Sequence, residues 1–159
     1  MARVFKAYGT LYTAGDKIGT TDNTIDQADL ESIVAASPRS IPIVTHIRQM
    51  HDVESVIGHA NITLTGDGRE NAYAELVFNP IARREYETIL QSVKGRNALR
   101  LGFMLRGVHV NKDENKITDG YISVISLNES GLGGHIDKFG WEDNNEQEEI
   151  RRLYDHGDS

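Results

Sequence analysis

The chain contains no cysteine. That removes disulfide scaffolds, thiolate zinc centres and cysteine nucleophiles in one step. With only three prolines, it has no proline-rich linker or low-complexity segment. No stretch reaches the roughly 18 consecutive apolar residues that a membrane-crossing helix needs. The opening MARVFKAYG has no apolar core of a secretory signal. Synthesis in the cytoplasm and no membrane partner are the resulting expectations. Basic charge is also scarce: 17 Lys and Arg stand against 24 Asp and Glu, for a net charge of -7. No basic patch stands out, so no nucleic-acid partner is expected.

At 159 residues, the chain is long enough for one domain with a real core. The negative charge is uneven. Residues 142–159 hold seven acids and two arginines, which is -5 of the total. The sequence therefore divides into a domain over 1–141 and an acidic C-terminal tail over 142–159. The tail reads as a solvated end, or as a short helix that docks on a partner through Ile150, Leu153 and Tyr154.

Periodicity predicts the elements. RVFKAYGTLY is a first strand and GDKIGTTDNT a loop. TIDQADLESIVAAS is a helix with a capping box from Thr24 to Gln27, an apolar stripe of Leu30, Ile33 and Val34, and Pro38 as its stop. SIPIVTHI is a short apolar strand. Two strands flank the GDG turn at 66–68. NPIARREYETILQSVKG is a second helix, with Asn79 as N-cap, Pro80 at its first position and Gly95 as its C-terminal stop. A strand follows to Val110, NKDENK is a turn, and ITDGYISVISL is the last strand. The expected fold class is α+β: a mainly antiparallel β-sheet or barrel with two main helices.

Six histidines invite metal or catalytic readings. The spacing of His46, His51 and His59 matches no usual zinc pattern, so no metal is expected. His51, His59, His109, His135 and His156 read as structural or surface residues. His46 ends the apolar run IPIVTH and reads as a strand-end residue or a catalytic base. GDG has no lysine and opens no helix, so it is a turn rather than a phosphate cradle. GLGG at 131–134 reads as a connector. Trp141 either anchors the tail to the body or meets another subunit. No cofactor is implied.

In NALRLGFML, residues 97–105, the apolar Leu99, Leu101, Phe103 and Leu105 share one strand face. Arg100 therefore points away from the core beside Gly102. Arg100 and Arg106 share that outward face. They are placed to pair with carboxylates, either on a neighbouring protein or within the chain at Glu75 or Asp119.

The order of these pieces resembles the prohead (capsid maturation) protease family of tailed phages, whose fold is related to the herpesvirus protease assemblin. SIPIVTHIRQMHDVESVIGHANITLTGDG is similar to the family's segment of proline, apolar run, Asn-His, loop and Ile-Gly. AYAELVFNPIARREYETILQSVKG is similar to its strand and helix before the nucleophile. ALRLGFML resembles its Leu-Ser-Ile-Gly-Phe strand, and YISVISLNES its closing strand. The resemblance spans about residues 3–130. It implies an assemblin-like barrel and puts His46 at the catalytic base.

The departures decide the functional expectation. The family's serine nucleophile falls on Arg100, and the acid of the closing strand falls on Val124. Arginine stays protonated and has no usable lone pair, so it cannot attack a carbonyl. Its charge also opposes formation of an imidazolium nearby. The resemblance then implies a pseudoenzyme: a non-catalytic virion protein serving as capsid decoration, cement or scaffold component. Its partners would be the major capsid protein or other virion proteins, or further copies of itself. The competing reading is an active serine-type maturation protease with a displaced nucleophile, at Ser92 or Ser126. A third reading, an unrelated binding domain, predicts a different topology.

Overall fold

The computed structural model describes residues 3–19, 21–44, 56–79, 100–128 and 134–143. In chain order the elements are β1 (Arg3–Thr13), α1 (Gln27–Ala36), β2 (Ile41–Val44), β3 (Val56–Thr65), β4 (Asn71–Phe78), β5 (Arg100–Asn111), β6 (Lys116–Asn128) and β7 (Gly134–Asp143). The strands close into a barrel in the order β1-β4-β3-β2-β6-β5-β7. Neighbours run antiparallel, except that β2 lies parallel to β6 through Ile43–Ile125 and Val44–Ser126. The expected mainly antiparallel barrel is therefore present, and the described residues are mainly β rather than α+β. They contain one helix of the two expected; the other, at 80–94, falls outside them.

Two-residue alternation explains the wall. Along β4, Ala72, Ala74, Leu76 and Phe78 are buried between half-buried Asn71, Tyr73, Glu75 and Val77. On β1 the inward set is Phe5, Ala7, Gly9 and Leu11. Small side chains on β1 and β4 share one core with Ile41, Ile43, Leu101, Ile122 and Ile125. Burial of each large aliphatic contributes about 1.5–3 kcal/mol. The β1–β7 seam depends on glycine. A Cβ on Gly9 would overlap the carbonyl of His135, and one on Gly134 would overlap that of Thr10.

The GDG stretch is a hairpin turn, as its sequence predicts. Arg69 donates its N–H to the Gly66 carbonyl at 3.0 Å, and Gly66 adopts φ +98.

The start of α1 corrects the expected capping box. The N-cap is Asp26, with no side-chain cap bond. The Thr24 backbone instead pairs with the start of β6, accepting from Ile117 N at 2.9 Å and donating to Asn115 O at 2.9 Å. The Gln27 side chain donates to the Gly68 carbonyl. A tertiary strand edge thus outcompetes a local cap. At the other end of α1, the Ser37 hydroxyl accepts from Ile122 N at 2.9 Å. Thr24, Ser37 and β2 together occupy the edge of β6 that faces away from β5.

β7 is the element the sequence reading missed. Its alternation is broken by a register shift opposite Tyr8 and Gly9. It carries the fold through Glu142 and Asp143, across the expected 141/142 boundary. Phe5 stands 5.5 Å from Trp141 and 6.1 Å from Phe139, ring centre to ring centre. Trp141 therefore fixes β7 against the barrel.

Candidate functional site

The two sides of β5 divide cleanly. Leu101 is buried in the core, with Phe103 and Leu105 packed against it, while Arg100, Gly102 and Met104 take the outward positions. Across the β5–β6 ladder, Gly102 pairs with Ser126 and Met104 with Val124. On the far side of β6, Ser126 aligns with Val44. Directly paired side chains lie about 5 Å apart at Cβ; Gly102, Ser126 and Val44 are in register across three strands on the outside of the barrel, with Arg100, paired with Asn128, and Val124, paired with Met104, on the same side further along. This outside is not open to water. Val44 and Ser126 are 0% exposed and Val124 3%, yet none of the three belongs to the main core.

Of the three residues singled out from the sequence, two are described, and the ladder places them at rungs four residues apart, Arg100 opposite Asn128 and Val124 opposite Met104. Arg100 and Val124 share this face. His46 lies outside the described residues, as does Ser92. Ser126 lies beside Gly102 but is fully buried, closed to a peptide arriving from solvent. Valine supplies no charge and arginine no nucleophile, so these two positions cannot provide the hydroxyl and carboxylate of a triad.

Arg100 has an unusual setting. Its Nε is buried and has no hydrogen-bond partner among the described residues. Neither carboxylate proposed from the sequence reaches it. Glu75 pairs with Lys6 at 3.4 Å. Asp119 accepts from Gly120 N at 2.9 Å and stands opposite His109 on the ladder. On its other edge Arg100 pairs with His135 of β7, whose Nε2 lies 2.9 Å from Asp137 Oδ1.

A second outward surface, over β1, β4 and β7, is polar and internally satisfied. The Tyr8 hydroxyl donates to Glu142 at 2.6 Å, and the Lys138 ammonium sits 4.8 Å from the Tyr8 ring centre. Burial, and then the hydrogen bond to Glu142, push the Tyr8 phenol well above its usual value. Burial, and then Asp137, also raise the Tyr73 phenol. Most of this network involves β7, so a reading without that strand had no means to find it.

Among the described residues no group of three or more His, Asp or Glu side chains is placed to hold a metal. His59 and His109 are exposed, in line with surface roles; His51 and His156 lie outside the described residues. No described helix is long and apolar enough to cross a membrane. No protein family, curated protein or solved structure matches the chain.

Proposed function

We propose that this chain is a non-catalytic structural protein of a virion, a capsid decoration, cement or scaffold component on a prohead-protease-like barrel. Its partners would be the major capsid protein or other virion proteins. One observation carries the reading: a guanidinium and a buried valine stand where the resemblance puts the nucleophile and the acid. The nearby Ser126 hydroxyl is enclosed, which weighs against the displaced-nucleophile alternative. A closed barrel also suits a protein that acts by contact.

The test has two arms. Purified chain is incubated alone and with a capsid scaffold protein, and intact masses are recorded. Both should remain uncut. Self-trimming that disappears in His46→Ala and in Ser126→Ala would overturn the proposal in favour of a serine-type protease. In the second arm, purified phage particles are quantified by mass spectrometry. A fixed copy number per capsid is expected; absence from particles would overturn the virion assignment.

A further inference from the structure

We infer that Asp119 is a site of spontaneous covalent modification. Its carboxyl group closes onto the Gly120 nitrogen to give a succinimide, and water opens that ring to isoaspartate. The modification is independent of the proposed function. The chain has two Asp-Gly pairs, Asp67-Gly68 and Asp119-Gly120, and the fold holds them in opposite ways. Both have the local chemistry for ring closure, because glycine has no Cβ to crowd the attacking nitrogen.

In the GDG turn the glycine nitrogen is drawn off by a neighbour. Gly68 donates its N–H to Glu70 Oε2 at 2.9 Å, and its carbonyl accepts from the Gln27 side chain. Gly68 is thus fixed at both polar groups, with its nitrogen held by a carboxylate other than that of Asp67. At Asp119 the reverse holds. Gly120 donates its N–H to Oδ1 of Asp119 itself at 2.9 Å. The nitrogen therefore stands against the carboxyl carbon it would attack, one bond beyond that oxygen. Holding reacting atoms together in this way removes much of the entropic cost of closing a ring. The pair also sits in a bulge. The ladder passes from Arg106–Tyr121 to His109–Asp119, so Gly107 and Val108 of β5 both oppose Gly120. Gly120 takes φ +133, and a Cβ there would lie 3.0 Å from the Arg106 carbonyl. Asp119 is exposed, so water reaches its carboxyl.

The step balances without an added reagent. In the acid form of Asp119, the Gly120 nitrogen forms a bond to Cγ and the Cγ–OH bond breaks. The hydroxyl leaves with the amide proton as one water. Water then adds back to the ring. Opening at Cγ restores aspartate; opening at the main-chain carbonyl of Asp119 leaves isoaspartate, whose main chain runs through Cβ and Cγ. That extra carbon enters the ladder at the bulge, beside the exposed Val108 and Tyr121, and disturbs the hairpin from His109–Asp119 to its tip.

The full chain is held in mildly acidic buffer, which favours the acid form, and is sampled over weeks by peptide mass mapping. Succinimide is read as the loss of one water. Isoaspartate is read by methyl transfer from labelled S-adenosylmethionine with an isoaspartate methyltransferase. Asp119 should convert at least fivefold faster than Asp67 in the folded chain, and the two rates should converge in urea. Glu70→Ala, which releases the Gly68 nitrogen, should speed Asp67 and leave Asp119 unchanged. Asp119→Glu, which would need a larger ring, should lose the signal at this position. Equal rates in the folded chain, faster conversion at Asp67, a ratio that survives in urea, or no gain at Asp67 in Glu70→Ala would each overturn the inference.

Discussion

The two walls of the barrel are built to different rules. On the β1–β4–β7 wall, polar outward residues answer one another: Lys6 with Glu75, Tyr8 with Glu142. On the β2–β6–β5 wall, the outward residues Val44, Val124 and Ser126 are as buried as the core. A strand with one wet face reads as alternation, whereas one covered on both faces reads as a continuous apolar run. IPIV and ISVISL are runs of the second kind. Arg100, whose buried Nε has no hydrogen-bond partner among the described residues, also stands on this wall.

The broadest way to break this comparison is to empty the core the walls share. Leu101→Ala removes a fully buried side chain beside Arg100 and should lower stability by about 2–5 kcal/mol, read from the shift in a urea unfolding midpoint. A paired substitution sharpens the contrast. Val124→Glu buries a carboxylate on the covered wall and should lose more than about 2 kcal/mol. Val77→Glu places the same group on the polar wall, where Val77 pairs with Lys6 across the ladder, and should change stability by less than about 0.5 kcal/mol. Equal losses would show the two walls to be alike.

The smallest effect concerns the polar network. Tyr8→Phe removes the bond to Glu142 and should lose about 1 kcal/mol at neutral pH. The raised phenol adds a pH signature. A group that holds its proton more tightly when folded contributes fully below its unfolded value of about 10, and that contribution is lost as pH rises through the higher folded value. Wild-type stability should therefore fall above pH ~10, and Tyr8→Phe should fall less steeply. Parallel curves would leave Tyr8 no part in the alkaline loss.

Much of the barrel was legible in the sequence because its signal is local. β1, β4 and the core of β5 alternate cleanly, and the GDG turn supplies the hairpin between β3 and β4. What stayed hidden depended on distant partners. Thr24 and Gln27 look like a cap until the edge of β6 and the β3–β4 turn draw them away. β7 looks like a connector and tail because its glycines serve close packing against β1, and its broken alternation masks Phe139 and Trp141. At the site, the outward position of Arg100 followed from period alone. The burial of Val124 and Ser126 did not, because an outward position says nothing of what lies over it.

Among the described residues, β5 and β7 meet at two register pairs, Arg100 with His135 and Leu101 with Gly134. This clasp of two described pairs is shorter than the β1–β4 ladder, and amides at these four positions should exchange sooner than those of that ladder. Arg100 is itself one half of that clasp. A substitution at position 100 would therefore act on the closure of the cylinder as well as on the outward side chain.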